Sequence, residues 1–382
     1  VEEHNVLSDT QEGFRPKKGT LRQLQRLVMA MEDAKLTDSP IYVLYVDFVN
    51  AFGSVDHVRM AEILKLQGFP EDIVNIVRDL YTNADIVVDT PVGPTEPISS
   101  EGRGTVQGDP LSPLLFILAL DPLLRWLDEG DRGYHFRTSS EILSNLAYAD
   151  DLSVISGAFS QMRIQASKIE EYCEWAGIRV NVNVERKDKT AWTGRGGGER
   201  HRSLEIMGQT VPEITAEETY VYLGLHLSLS LKWHKNSKYL MAKVLKRIEA
   251  IKTMRQDPKL VLDPLEMVVR PVIRCIMPAA TLSWADVTRF NSTFWAAVKH
   301  VVGLSRHTSN MHVMRTRGEL GMDVDPLHLT LADALRGSAE TLRSTEEDLG
   351  RMWRGLREAH KRGMARQGLT LHADSARTEF PV

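Results

Sequence analysis

Short apolar runs that end in acidic residues mark the first half of the chain. The run 41–46 (IYVLYV) is uninterrupted and rich in β-forming residues, which predicts a buried central strand ending at Asp47. Two further runs flank Asp150 and Asp151 and predict two strands in a tight hairpin with both acids at its tip. A lone Asp at a strand end is usually a turn residue or a helix cap. Three acids after buried strands need partners, so they are the first candidates for chemistry.

Helical spacing of apolar positions separates these strands. Ser54 is the predicted cap of a helix that ends near Gly68, and residues 70–72 start a second helix. The apolar stripe predicted for that second helix consists of Ile73, Ile76, Val77 and Leu80. A hairpin is predicted over 86–94.

A Gly-rich loop precedes the most apolar helix of the sequence. This helix carries Pro110 or Pro113 in its first turn, where proline is tolerated. The helix after the acidic hairpin is predicted to be capped by Ser160 and ended by Gly177. Short strands follow, and the glycines of 194–198 indicate a flexible connection, because no Gly-Lys-Ser/Thr ending completes a phosphate loop.

From Trp233 onward the pattern is helical. One stripe in this region consists of Leu240, Val244, Ile248 and Ile251, and most lysines lie off it. Prolines interrupt the helices, and residues 323–326 form a plausible boundary before a final helical extension.

Composition places the chain among ordinary folded proteins. Its 382 residues suggest two to three structural units, and 42% hydrophobic with 26% charged residues excludes disorder as the whole description. Two cysteines cannot build a disulfide framework or a cysteine zinc site, which favours a reducing compartment. We find neither a signal peptide nor a membrane span, so the expected location is intracellular, in nucleus or cytoplasm, and not secreted.

Charge is distributed unevenly although the net charge is only −4. Residues 231–259 hold nine basic and two acidic side chains, a balance of +7, whereas residues 104–157 hold three basic and eight acidic ones, a balance of −5. Such a pattern is typical of a protein that binds cations and polyanions in adjacent places. Ordinary solvated faces are the alternative reading.

Six motifs occur in the order found in one enzyme family. They are QEGFRP (11–16), YVDFVNAF (45–52), GTVQGDPLSPLLF (104–116), YADD (148–151), Lys189-Thr190 and YLG (222–224). Together with a weaker ELG…PL pattern at 319–327, they resemble the successive polymerase motifs of reverse transcriptases, most closely the non-LTR retrotransposon (LINE-type) enzymes. The resemblance spans residues 8–345 and is carried mainly by the middle three motifs.

This resemblance implies the fold class and the domains. The expected fold is α+β, a right-hand polymerase with an antiparallel palm sheet, partial fingers and a helical thumb. The expected domains are partial fingers at 1–40, palm at 41–230 with a fingers-type insertion at about 68–104, thumb at 231–322 and a helical C-terminal extension at 323–382.

The resemblance also implies the reaction and its metal ions. It is RNA-templated DNA synthesis, in which a primer 3′-hydroxyl attacks the α-phosphate of a dNTP. Asp47 and Asp150 are expected to bridge two Mg²⁺ ions, with Asp151 completing the cluster and the Phe48 carbonyl adding a ligand. Hard cations prefer such oxygen ligands, and two ions about 3.5–4 Å apart stabilise the attacking and leaving oxygens. Mn²⁺ can substitute for Mg²⁺.

The expected nucleotide-binding residues are Arg15, Phe48, Ala51, Phe52, Gln107, Gly108 and Lys189. Phe52 corresponds to an aromatic gate beneath the sugar that excludes a ribose 2′-hydroxyl, with a purely packing Phe as the alternative. Lys189 corresponds to a lysine near the triphosphate. A primer grip at Tyr222, Leu223 and Gly224, with nucleic-acid contacts from Lys243, Lys246 and Arg247, completes the expected site.

The implied partners are an RNA template, a DNA primer and dNTPs, with no membrane partner; the oligomeric state is unknown.

Gly53 departs from the family, which commonly has Asp there, and we expect a local loss of stability. The motifs start at QEGFRP in a chain that begins with Val1, so we expect missing fingers elements and poor extension by this chain alone. A truncated, catalytically inactive nucleic-acid-binding remnant is the alternative. An RNA-copying RNA polymerase is a third reading, against which Phe52 argues.

Overall fold

The chain folds into two compact units. The structure, a computed structural model, describes residues 1–82, 85–99, 102–105, 108–183, 185–196, 203–252, 267–272, 274, 279, 284–314, 327–345 and 347–366. One unit comprises Val1–Gln23 and Ala30–Leu223, and the other comprises Leu24–Met29 and Gly224–Val382. The assignment of palm, fingers and thumb to residue ranges stays a prediction, and the proposed boundary at 323–326 lies outside the described residues.

Helices and mainly antiparallel strands occur in separate groups up to residue 223, which confirms the mixed α+β class. The helices are α1 Thr20–Leu36, α2 His57–Leu66, α3 Glu71–Thr82, α4 Ser112–Asp128 and α5 Phe159–Ala176, with a 3-10 turn at Phe52–Ser54. The strands are β1 Ile41–Val46, β2 Asp85–Ile86, β3 Asp89–Thr90, β4 Gly93–Pro94, β5 Ile98–Ser99, β6 Tyr134–His135, β7 Ile142–Leu143, β8 Asn145–Tyr148, β9 Asp151–Ser156, β10 Ala191–Arg195, β11 Glu205–Ile206, β12 Gln209–Thr210, β13 Glu213–Ile214 and β14 Tyr220–Tyr222.

A five-stranded sheet in the order β13-β10-β1-β9-β8 forms the centre of the first unit. Its pairs are antiparallel except β10 with β13, which is parallel. All six residues of β1 are buried, as the uninterrupted apolar run predicts for a central strand. The register pairs Val46 with Leu152 and Tyr148 with Asp151, so the end of β1 lies beside the start of β9.

Helices α4 and α5 cover one face of this sheet and form the main core with it. Phe159 at the start of α5 packs its ring 5.7 Å from Tyr42 on β1 and 5.0 Å from Trp192 on β10, measured between ring centroids. The Tyr172 hydroxyl of α5 donates to the Ala119 carbonyl of α4. The core thereby fixes the strand ends on which the acidic residues lie.

Two predicted helix caps are wrong. Helix α2 is capped by Asp56, whose Oδ1 accepts from the backbone N–H groups of Val58 and Arg59, both at 3.0 Å. Ser54 instead lies in the 3-10 turn, because its hydroxyl donates to the Ala51 carbonyl. Ser160 is already inside α5, which begins at Phe159 without a side-chain cap.

The predicted stripe of α3 is only partly correct. Val77 is buried, together with Val74 and Tyr81, whereas the three other predicted positions are 40–56% exposed: Ile73, Ile76 and Leu80. The apolar positions of α3 form one wide stripe, and only the edge with Val74, Val77 and Tyr81 is buried, so spacing alone does not identify which part of the stripe faces inward. The predicted hairpin after α3 is confirmed as two antiparallel pairs, β2 with β5 and β3 with β4.

Gly194 lies in a strand and not in the predicted flexible connection. It pairs with Tyr42, and a Cβ on Gly194 would stand 2.3 Å from the Tyr42 ring. The glycine is therefore a requirement of close strand packing. Residues 197–198 of that predicted connection lie outside the described residues.

The described part of the second unit is mainly helical, with one short strand, β15 Leu225–Leu227. Its helices are α6 His234–Lys252, α7 Trp284–Val301, α8 Asn310–Met314, α9 Leu327–Ser344 and α10 Asp348–Arg366. The α6 stripe is confirmed, since each of its members is at most 2% exposed: Leu240, Val244, Ile248 and Ile251. Among the described helices, none combines the length and apolarity needed to cross a membrane.

Candidate active site

Three acidic residues come together because two strand ends meet. Asp47 directly follows β1, Asp151 begins β9, and Asp150 lies in the two-residue connection between β8 and β9. The pairing of Val46 with Leu152 places the residue after β1 next to the residue before Leu152. The sheet register therefore gathers residues that are about a hundred positions apart in the sequence.

The connection that carries Asp150 has an unusual backbone conformation. Ala149 has a φ of +56°, in the left-handed region that residues with a Cβ rarely adopt. Hairpins with two-residue connections normally place Gly or Asn at such a position, and Ala costs about 1 kcal/mol there. Neighbouring contacts must therefore hold this turn.

Asp47 is held by side chains from the segment that follows α5. Asn181 Nδ2 donates to Asp47 Oδ2 at 2.7 Å, and Lys189 Nζ lies 3.3 Å from the same oxygen. The Thr190 hydroxyl accepts from the Asp47 backbone N–H at 3.0 Å. The Asp47 side chain is 31% exposed, so one side of the carboxylate remains accessible to solvent.

The pKa values of the two neighbouring acids show how these carboxylates interact. Burial, and then the charge of Asp47, raise the pKa of Asp150. Burial, followed by the charges of Asp150 and Asp47, raises the pKa of Asp151 to about 6. The three carboxylates thus repel one another across a partly desolvated space, where a cation would stabilise all of them.

The three carboxylates suit a divalent cation by their chemistry, although they do not converge as metal ligands in this structure. Among the described residues, no three His, Cys, Asp or Glu side chains already converge as a metal site. Carboxylates that repel each other are nevertheless the ligands that hard cations prefer, and the ammonium of Lys189 already occupies a cation position on Asp47. Asp47, Asp150 and Asp151 are therefore the residues that would hold Mg²⁺. Phe48 forms an isolated β-bridge with Val180. Its carbonyl stays a predicted metal ligand.

Phe52 lies at the edge of the core, with part of its surface free. Its ring stacks on Phe116 with centroids 4.4 Å apart and meets Phe14 edge-on at 6.3 Å. Ala51 beside it is buried, whereas Phe52 is only half-buried. Packing and gating are compatible in this position, and the gate stays a prediction.

The loop before α4 folds back onto the 3-10 turn. Thr105 donates its backbone N–H to the Phe52 carbonyl at 2.9 Å, and Gly104 donates to the Val55 carbonyl at 2.8 Å. Gly108 has a φ of +94°, which favours glycine. Gln107 lies outside the described residues, and its predicted nucleotide contact stays a prediction.

The close packing of Asn50 explains why residue 53 is a glycine. A Cβ there would stand 2.3 Å from the side-chain nitrogen of Asn50, so Asn50 fills the space that a larger residue would need. Helix α2 is capped by Asp56, so its start does not depend on a side chain at residue 53.

Arg15 is engaged within the N-terminal segment. Its guanidinium forms an ion pair with Glu2 at 2.8 Å and donates to the carbonyls of Ser8 and Gln11. Its side chain is 5% exposed, and its predicted contact with the nucleotide stays a prediction.

The predicted nucleic-acid contacts lie on two different elements. Tyr222 ends β14, and Leu223 and Gly224 follow with φ angles of +47° and +80°, which form a tight turn. On α6, Lys243 lies 4.4 Å from the Tyr239 ring centroid, and Arg247 donates to the Val268 carbonyl. Lys246 is exposed.

Sequence reasoning missed three residues that shape the site. Asn181 and Thr190 bind Asp47, and Gln11 binds the Asp150 turn. Pairing of 47–49 with 179–181 brings Asn181 into place, since Asn181 N–H donates to the Asp47 carbonyl at 2.7 Å. The available signals were Gln11 in QEGFRP and Thr190 beside Lys189.

Comparison with known proteins identifies the family to which this chain belongs. The chain belongs to the family "Reverse transcriptase (RNA-dependent DNA polymerase)", whose sequence profile matches residues 1–227. It is similar to the retrovirus-related Pol polyprotein from type-1 retrotransposable element R2 of Nasonia vitripennis, with 26% identity over 237 residues, covering 59% of this chain and 22% of that protein. The type-2 element R2DM protein of Drosophila melanogaster is 24% identical over 225 residues, covering 57% of this chain and 20% of that protein. The predicted membership in the LINE-type enzymes is confirmed.

The chain spans about a fifth of the length of these two relatives. Among solved structures it resembles telomerase from Candida tropicalis, in complex with a TWJ fragment of telomeric RNA, at 10% identity and a TM-score of 0.40. That match covers 92% of this chain and 53% of the telomerase chain.

The raised pKa of Asp151 gives a test of charge crowding without metal. Its folded-state pKa of about 6 lies above the ordinary 3.8, so the carboxylate destabilises the fold above pH 6, and this effect vanishes below pH 3.8. We expect Asp151→Asn to raise the free energy of unfolding at pH 8 by about 1 kcal/mol, less than the full pKa shift implies, because Asp151 is only partly desolvated and solvent screens its charge. Denaturant titrations at pH 8 and pH 4 in a chelator measure it.

Asp188→Asn is the matched control. Its hydrogen bond with Arg186 lowers the pKa of Asp188, so the same substitution there should not stabilise the protein at pH 8. An Asp151→Asn protein no more stable than the parent at pH 8 would show that neither burial nor the neighbouring acids disfavour the ionised Asp151 carboxylate.

Proposed function

We propose that this chain is the RNA-directed DNA polymerase of a non-LTR retrotransposon, which extends a primer 3′-hydroxyl with dNTPs by two-metal nucleotidyl transfer. One observation carries the proposal: the sheet register gathers Asp47, Asp150 and Asp151, and burial together with the charges of neighbouring acids raises the pKa values of Asp150 and Asp151. Family membership supports the same reaction. Since RNA and dNTPs are cellular, we place the chain inside the cell, in nucleus or cytoplasm.

The acids would hold two Mg²⁺ ions, or Mn²⁺ in their place. When bound, these ions supply charge stabilisation at the attacking and leaving oxygens of an in-line displacement. The chain's own contribution is to fix the carboxylates: Asn181 orients Asp47 through a hydrogen bond to Oδ2, and Thr190 holds the Asp47 backbone. Preset ligands need no reorganisation during the reaction.

Lys189 is suited to bind the triphosphate of the incoming nucleotide. Its ammonium pairs with Asp47 at 3.3 Å, and its side chain is 33% exposed, so it can exchange this carboxylate for a triphosphate oxygen without crossing the core. In that position Lys189 would neutralise charge on the triphosphate and give a proton to the leaving pyrophosphate.

Phe52 would select the sugar. Its ring is fixed by the stack on Phe116, so a ribose 2′-hydroxyl meeting that ring cannot push it aside without disturbing the core. A deoxyribose has no group at that place, and the proposal therefore favours dNTPs over ribonucleotides.

The basic face of α6 would bind the template-primer backbone. We expect changing Lys243, Lys246 and Arg247 together to Gln to lower the dependence of log affinity on log salt by about 0.7–0.9 for each phosphate that is no longer neutralised. The weakening should be uniform across sequences, because phosphate contacts position the duplex and read no bases. Fluorescence anisotropy with labelled template-primer at several salt concentrations measures this slope.

Arg247→Gln also removes the hydrogen bond to the Val268 carbonyl, so a thermal melt must accompany the titration. If the folded triple variant keeps the parental slope, the duplex binds elsewhere.

Primer extension on an RNA template tests the proposed function. We expect dNTP incorporation that stops when EDTA removes the divalent ions and returns with added Mg²⁺ or Mn²⁺.

A further inference from the structure

A glutamine from the N-terminal segment binds the backbone of the turn that carries Asp150. Gln11 Oε1 accepts from the Ala149 backbone N–H at 2.8 Å, and Gln11 Nε2 donates to the Ala149 carbonyl at 3.3 Å. One side-chain amide thus satisfies both polar groups of a single residue. That residue is the one with the left-handed backbone, directly before Asp150.

The amide is itself rigidly held. Gln11 is fully buried, and its Oε1 also accepts from the Gly13 N–H at 2.8 Å. Around it, the backbones pair: Glu12 N–H donates to the Ala147 carbonyl at 2.9 Å, and Ala147 N–H donates to the Thr10 carbonyl at 3.0 Å. Gln11 therefore approaches the turn from a fixed direction.

Gly13 permits this close approach. A Cβ on Gly13 would stand 2.3 Å from the Ala149 nitrogen, closer than side chains tolerate. Gln23 adds a second brace, since its Nε2 donates to the Ala147 carbonyl at 2.9 Å. All these contacts converge on the backbone of 147–149, which leads into Asp150.

We propose that Gln11 is a positioning residue, which holds Ala149 in the left-handed conformation and thereby directs the Asp150 carboxylate toward the metal site. The inference rests on the proposed function, because it assigns Asp150 to metal binding. Gln11 has no role in the chemical step itself. Its two hydrogen bonds offset the strain of a side chain at a position where hairpins favour glycine.

The chain offers a direct way to separate positioning from general packing. If Gln11 acts by holding φ at Ala149, then glycine at that position should reduce the need for Gln11, because glycine adopts this conformation without strain. If Gln11 only packs, Ala149→Gly should not help. The test variants are Gln11→Met, which keeps the length of the side chain and removes the amide, Ala149→Gly, and the two combined.

Gln165→Met is the matched control. Gln165 is also fully buried and donates to a backbone carbonyl, that of Leu127 at 2.8 Å, but it lies on α5. We expect it to lower the melting temperature without changing metal affinity or rate.

Two readouts are measured on each folded variant: Mn²⁺ affinity by EPR titration without nucleotide, and the single-turnover rate of dNTP addition. We expect Gln11→Met to weaken Mn²⁺ binding about tenfold and to slow addition by about 30- to 100-fold, since a ligand displaced by about 1 Å has effects of this size. The double variant should recover at least tenfold of the rate.

Parental Mn²⁺ affinity and rate in folded Gln11→Met would overturn the proposal. Equal losses in Gln165→Met, or no recovery in the double variant, would also overturn it by showing general packing. If the parent chain adds no nucleotide while Gln11→Met still loses Mn²⁺ affinity that Ala149→Gly restores, the positioning role stands and the proposed polymerase function fails.

Discussion

Asp150→Asn should reduce primer extension by at least about a thousandfold while the chain stays folded. The amide keeps the shape of the side chain but removes a carboxylate charge that would hold the ions, and loss of several kcal/mol of metal-dependent stabilisation corresponds to this factor. The fold should tolerate the change, because burial and the charge of Asp47 already raise the pKa of Asp150 and disfavour its carboxylate. Single-turnover extension and a thermal melt measure the two halves of this prediction.

Asp47→Asn should have the same effect on extension, since Asp47 would hold the same ions. Asp188→Asn serves as a surface control, because its carboxylate pairs with Arg186 and lies 59% exposed. Near-parental turnover in either Asp47→Asn or Asp150→Asn would mean that the metal assignment is wrong.

Phe52→Val should let the enzyme accept ribonucleotides. Removing the ring opens the space beneath the sugar, and relief of a steric clash of about 1–3 kcal/mol corresponds to a drop of about 5- to 150-fold in dNTP over rNTP preference. The change should act on kcat/KM for rNTPs and leave dNTP addition within a few-fold. Competing incorporation of a dNTP and its matching rNTP measures the preference.

The ring of Phe52 also stacks on Phe116, so Phe52→Val should lower stability. Phe136→Val is a control of the same chemistry, since Phe136 is buried against the Tyr134 ring and has no part in the proposed site. An active Phe52→Val protein with unchanged sugar preference would leave Phe52 as a packing residue.

The strands and the acidic hairpin could be predicted because each rests on a local pattern. An uninterrupted apolar run specifies a central strand such as β1, and short runs around Asp150 specify a hairpin. Helix α6 was equally predictable from its stripe, and Gly177, with a φ of +69°, ends α5 as expected. Local patterns also carried the family motifs, which is why Asp47 and Asp150 could be predicted as candidate site residues.

The contacts that complete the site depend on chain segments far apart in sequence. Asn181 reaches Asp47 only because 179–181 pairs with 47–49, and no periodicity predicts that isolated pairing. Gln11 meets Ala149 across 138 positions for a similar reason. The helix starts were wrong where the chain used a nearer alternative: Asp56 caps α2 because a 3-10 turn already occupies Ser54.

Lys189 shows that a motif can predict a residue's role without predicting its contact in the structure. The motif implied a position near the triphosphate, and the structure places its ammonium on Asp47. A carboxylate is the nearest anion available to a lysine beside three acids.

Incorporation of a single dNTP opposite a defined RNA base tests the central claim most directly. The purified chain is mixed with an RNA template annealed to a labelled DNA primer, Mg²⁺ and one dNTP at a time, with Asp150→Asn as the blank. The account predicts that the parent chain adds only the dNTP complementary to the template base and that the blank adds none. A folded parent chain that binds the template-primer yet adds no nucleotide, as a catalytically inactive remnant would, contradicts it.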